Sequence, residues 1–158
     1  MKKLLFLVLI IVSCNNSNEK PYHNYETRFE ISEGTETATY QETIDYYTKL
    51  ANDYSEISIE TIGETDSGKP LHIVTLNANA NSFDFEKLKK DNRILLINNG
   101  IHPGESDGID ATMMLFRDIV QGVIKAPKNT ILVTIPIYNV GGSLNRNSGT
   151  RTNQNGPK

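Results

Sequence analysis

The sequence predicts an α/β protein, a mixed and partly parallel sheet flanked by helices, on three observations. Ile94-Leu95-Leu96-Ile97 and Ile131-Leu132-Val133 are unbroken apolar runs, the pattern of strands buried on both faces. Between them Ile109, Met113, Phe116, Val120 and Val123 fall on one helical stripe, so strand, helix and strand follow one another as in a crossover between parallel neighbours. Residues 57–62 and 71–76 are strand-like runs on either side of a loop of turn residues, an expected hairpin. Composition agrees: 37% hydrophobic and 22% charged residues, with a single Cys, exclude a disulfide scaffold, a collagen and a coiled coil. A net charge of −3 with no basic cluster argues against nucleic acid as a partner.

Taken in order, the chain begins with an address. Met1-Lys2-Lys3 and the nine apolar residues 4–12 have the basic start and short apolar core of a secretory signal. A membrane-spanning helix needs roughly 20 apolar residues. Ser13-Cys14 follows, and this junction resembles a bacterial lipobox. That resemblance implies a lipoprotein signal peptide over 1–13, cleavage before Cys14, and acyl chains on Cys14 that anchor the protein extracytoplasmically in the cell envelope. Each buried CH₂ contributes about 0.8 kcal/mol, so several chains anchor stably where one does not. An ordinary cleavable signal that leaves Cys14 a free thiol is the alternative, although the polar residues after it offer a thiol nothing to bury against.

Residues 14–38 are rich in Asn, Ser, Glu and Thr without a sustained period, and read as a polar tether. Structure is expected from Thr39, where Thr39 and Glu42 have capping-box spacing ahead of Tyr40, Ile44, Tyr47, Leu50 and Tyr54. A helix over 40–53 follows, then the hairpin, then the strand, helix, strand unit. After Asn139 the sequence is Gly, Asn, Ser and Thr, expected to be a loop that returns to no further element.

Ligands of open α/β sheets gather at the carboxyl ends of strands, which directs attention to Asn99-Gly100-Ile101-His102-Pro103-Gly104-Glu105. Here a turn of Gly and Pro separates an imidazole from a carboxylate by three positions. Both are zinc ligands, and a catalytic zinc takes three protein ligands with a fourth position open. Spacing alone decides little, because His23 and Glu26 repeat it inside the expected tether. On the residues alone, His102 as a loop histidine and Glu105 as a charge at a helix N-terminus stays an open alternative. His72 lies in a strand and reads as a solvated histidine rather than a ligand.

The zinc loop, preceded by Gly68-Lys69-Pro70-Leu71 and a Tyr-rich first helix, resembles the N-terminal part of the zinc metallocarboxypeptidases of the carboxypeptidase A type. Pro136-Ile137-Tyr138-Asn139-Val140-Gly141-Gly142 resembles that family's Asn-Pro-Asp-Gly turn, with Asn139 and Gly142 kept. The resemblance covers about residues 38–158 and implies a zinc-carboxypeptidase-like domain over 39–158. It implies one Zn²⁺ held in part by His102 and Glu105, peptide or protein C-termini as substrates, and an arginine that stabilises the developing oxyanion. Arg151 is the preferred arginine, with Arg146 the other candidate and Gln154 near the family position. A related resemblance, to zinc deacylases of the aspartoacylase and succinylglutamate desuccinylase type, gives an alternative chemistry; a non-catalytic, lipid-anchored peptide-binding module is an alternative of another class.

The family also uses a second histidine as third ligand and a glutamate as general base. No His and no Glu follow Glu105, and Asp107, Asp110 and Asp118 all fall on the predicted helix. The expectation is therefore a truncated fold and a fragment inactive as a peptidase.

Overall fold

The computed structural model describes residues 24–79 and 82–147. Cys14, His23 and Arg151 lie outside them, as does the signal segment. The described elements run α1 (Arg28–Ile31), α2 (Tyr40–Asp53), β1 (Ile57–Glu64), β2 (Pro70–Leu76), α3 (Phe85–Asp91), β3 (Arg93–Asn98), α4 (Asp107–Val120), β4 (Thr130–Ile135) and α5 (Val140–Leu144).

Among the described residues one open sheet has the order β1-β2-β4-β3. The hairpin β1 and β2 is antiparallel, as expected, and β2 runs antiparallel to β4. β3 and β4 are parallel neighbours joined by α4, with Leu95 opposite Leu132 and Ile97 opposite Thr134. Mixed pairing is therefore present as the sequence predicts.

α2 occupies the expected span. Thr39 accepts from the Glu42 N–H while Glu42 reaches back to the Thr39 N–H, so two orphan donors at the helix start are satisfied reciprocally. Its inner face carries Tyr47 and Leu50, both fully buried, against Phe116 and Met113 of α4 and against Val74, Leu76 and Leu132 of the sheet. Fully burying Leu50 contributes about 1.5–3 kcal/mol. Tyr47 also meets Phe116 edge to face, with ring centroids 5.7 Å apart.

Four expectations are corrected. β4 is buried, but β3 is not: Ile94, Leu95 and Leu96 are 41%, 53% and 54% exposed, because β3 forms the sheet edge among the described residues and has a strand on one side only. The helix stripe stops at Val120, so Val123 lies in the following turn and is exposed. The described part of the expected tether, 24–38, is folded onto the domain. Tyr25, Thr27 and Ala38 are buried, Arg117 donates to the Tyr25 carbonyl and to Glu30, and Tyr25 donates to Asp53. The polar composition that reads as a tether is spent on caps: Thr27 and Glu30 form a second capping box at α1. Finally, the chain after Asn139 enters the short helix α5, whose Val140 is buried with Tyr40, Ile109 and Ile137.

Helix α3 has no counterpart in the sequence reading. Asp84 caps it, and Leu88 with Phe85 covers Ile131, Val133 and Ile73 on the sheet face opposite α2 and α4.

Candidate metal centre

At the carboxyl end of β3 the chain turns out of the sheet at Asn99 and Gly100 and reaches α4 at Asp107. Gly100 has φ +59°, and a Cβ there would press on Ile109 and Ile137 at 3.3 Å. The turn closes when the Glu105 N–H donates to the His102 carbonyl at 3.0 Å. Its result is that Nδ1 of His102 and Oε2 of Glu105 lie 2.9 Å apart, with the side chains 53% and 34% exposed. An ionised carboxylate only accepts, so the imidazole Nδ1 carries the proton between them.

The segment after β4 backs this loop. The Tyr138 N–H donates to the Asn99 carbonyl at 2.8 Å, and the Asn139 N–H to the Gly100 carbonyl at 3.0 Å. The Asn139 side chain donates to the Ile101 carbonyl and accepts from the Gly142 N–H. Gly142 tolerates no side chain here, since a Cβ would come within 2.3 Å of Pro103 Cγ. The Asn139 and Gly142 singled out in the sequence thus fasten the loop that carries His102 and Glu105.

The other candidates are placed elsewhere. Arg146 donates to the Ala38 carbonyl at 3.4 Å. Asp110, 4% exposed, accepts from the Thr37 hydroxyl and the Ala38 N–H, and burial moves its carboxyl above the ordinary aspartate value despite those bonds. Asp118 accepts from Arg117. His72 sits beside Tyr40, with Nδ1 3.4 Å from the hydroxyl, and partial burial lowers its basicity. Among the described residues no group of three His, Cys, Asp or Glu is assembled to hold a metal. A cleft of about 320 Å³ opens beside Arg117, whose guanidinium already pairs with Glu30 and Asp118.

Sequence reasoning missed the buried polar residues beneath the loop, Asn99, Thr112 and Thr134. No local signal separates Asn99 from its neighbour Asn98, an amide at the end of β3 that is exposed; only the distant hydroxyls of Thr112 and Thr134 mark Asn99 out.

Fold and loop together define a mixed α/β protein that presents a histidine and a glutamate on one strand-end turn. The chain belongs to the zinc carboxypeptidase family, whose model matches residues 43–148. Among solved structures, carboxypeptidase A from Helicoverpa armigera is similar at 16% identity and a TM-score of 0.59, over 69% of this chain and 26% of that one. Bovine thrombin-activatable fibrinolysis inhibitor, in complex with tick carboxypeptidase inhibitor, is similar at 17% identity and a TM-score of 0.55, over 68% of this chain and 33% of that one. The chain thus corresponds to about a quarter to a third of the length of these structures. No curated protein matches it.

Do the residues fit the family's metal? One imidazole nitrogen and one carboxylate oxygen are zinc donors, and they converge closely enough to face one cation. They fit as two ligands of a site.

Proposed function

We propose that His102 and Glu105 are two of the ligands of a zinc-dependent metallocarboxypeptidase that hydrolyses C-terminal peptide bonds. The observation that carries this reading is the 2.9 Å approach of Nδ1 to Oε2 on a turn at the carboxyl end of a parallel strand, in a chain of the zinc carboxypeptidase family. When bound, zinc supplies a Lewis acid for the scissile carbonyl. The chain's own part would be to hold the cation: His102 would offer an imidazole nitrogen and Glu105 a carboxylate oxygen, donors of different charge on one edge of the site. Arg151, outside the described residues, is the proposed partner of the oxyanion.

Two side chains hold zinc weakly, and hydrolysis without a positioned base forgoes about 10²–10⁴-fold in rate. With no His or Glu after Glu105, the 158-residue chain alone binds zinc but does not turn over peptides. Equilibrium dialysis tests this reading: zinc should bind one to one, and His102→Ala should abolish it. Zinc content unchanged by His102→Ala overturns the assignment.

Cys14, in its lipobox-like setting, carries the proposed lipid anchor at the bacterial cell envelope. Cys14→Ser should move the protein from the membrane to the soluble fraction on sedimentation of bacterial lysates; persistent membrane association rejects lipidation.

A further inference from the structure

A single buried amide ties together both feet of the turn that bears His102 and Glu105. Asn99 is 7% exposed. Its Nδ2 donates to Thr112 Oγ1 on α4 at 2.9 Å and to Thr134 Oγ1 on β4 at 3.2 Å. The Thr112 hydroxyl donates in turn to the Gly108 carbonyl, in the first turn of α4. Gly108 packs on the amide so closely that a Cβ there would lie 2.5 Å from Asn99 Oδ1. Along the backbone, the Asn99 N–H donates to the Ile135 carbonyl, which holds the residue in line with the parallel pair.

We infer that Asn99 is a positioning residue: by clamping the exit of β3 to the start of α4, it fixes the bearing of His102 and Glu105 toward each other. This inference rests on the metal-ligand reading of those two residues for its function, but its geometry does not. The physical argument is one of leverage. Residues 100–106 leave the sheet and re-enter at α4, and the loop's two ends meet at one side chain. Any slippage there displaces the imidazole and the carboxylate relative to one another. An amide suits the task because it donates to two hydroxyls without carrying charge into a buried site. Groups hydrogen-bonded directly to metal ligands govern affinity by about 10–100-fold each, and Asn99, one step further out through the backbone, is expected at the lower end of that range.

The test compares Asn99→Ala and Thr134→Val with Leu88→Ala. Leu88 is buried on the opposite face of the sheet, so it matches the loss of stability without touching the loop. Two readouts are taken on the folded 158-residue chain, well below its Tm. One is zinc affinity, by competition with a chromophoric chelator. The other is the His102 Nδ1–H resonance of metal-free protein at fixed pH, which reports the bond to Glu105. Asn99→Ala should weaken zinc about tenfold and erase the resonance, while Leu88→Ala leaves both unchanged. Lower thermal stability with both readouts intact makes Asn99 merely structural and overturns the proposal. If Asn99→Ala does not fold, Thr134→Val decides: affinity about threefold weaker with a diminished resonance supports the clamp, and no change in either rejects it. A wild-type chain that binds no zinc but loses the resonance on Asn99→Ala defeats the metal reading and leaves the clamp standing.

Discussion

Strands β3 and β4 have similar apolar runs, lie side by side in parallel register, and meet opposite environments. Ile131, Leu132 and Val133 of β4 are at most 3% exposed, whereas Ile94, Leu95 and Leu96 of β3 are between 41% and 54% exposed. The difference is one of neighbours. β4 lies between β2 and β3, with Leu132 under the α2 and α4 face and Ile131 and Val133 under α3. β3 has β4 alone among the described residues. An apolar run therefore reports what a strand can have covered, and the neighbour decides whether it is. The contrast bears on the site, because the loop with His102 and Glu105 grows from the less supported strand. That loop is fastened instead from β4's side, through Thr134, Tyr138 and Asn139.

The largest expected effect breaks or upholds this contrast directly. Leu132→Ala should cost about 3 kcal/mol, the usual range for a buried leucine that leaves a cavity, while its register partner Leu95→Ala should cost less than about 1 kcal/mol. Urea unfolding of the two variants measures both. Equal losses mean that Leu95 is covered in solution, which ends the description of β3 as an open edge.

A smaller effect sharpens the same lesson in residues 24–38, where polar composition concealed a packed segment. The Glu30 carboxyl is partly buried, which alone would raise its pKa, but hydrogen bonds from Arg117 and from the Thr27 N–H and hydroxyl outweigh burial and hold it below the usual glutamate value. A carboxylate depressed in the folded state stabilises the fold above its unfolded value, near pH 4.3, and that contribution is lost as pH falls through the depressed value. Glu30→Gln should cost about 2 kcal/mol at neutral pH and flatten the acid limb of stability against pH. In the wild type, hydrogen exchange on acidification should open residues 24–38 before β4. Simultaneous opening of both would show that the segment is integral to the core rather than clipped to its surface.

Legibility in the sequence followed locality. α2 was readable to the residue because Thr39 and Glu42 sit three apart and a helix cap is a contact between near neighbours. The hairpin and the parallel crossover were readable because period and connection length are local properties. α3 was not: Phe85 and Leu88 are two apolar positions in a charged stretch, and their meaning comes from Ile131 and Val133 across the sheet. In the candidate site, His102 and Glu105 were legible because a three-residue turn brings them together. Asn99 was not, since its partners Thr112 and Thr134 are 13 and 35 residues away. Chain separation hid the clamp, whereas nearness in sequence, together with the family resemblance, singled out the proposed ligands.

The smallest expected effect lies on β2, the other flank of β4, and asks whether that flank is as dry as β4 itself. His72 is half-buried beside Tyr40, whose hydroxyl donates to the Pro70 carbonyl at 2.6 Å and so has its proton committed away from the imidazole. Burial lowers the His72 pKa, and a base whose folded value lies below its unfolded one favours the fold in its neutral form. The contribution is complete above the unfolded value, near pH 6.5, and declines as pH falls through it toward the folded value. Thermal unfolding across pH 5–8 should therefore show a shallow fall on the acid side of 6.5 that His72→Gln removes, smaller than the change at Glu30 because the ring keeps contact with water. A slope of the same size in both proteins would locate the titration elsewhere and leave the β2 flank as wet as the outer edge of β3.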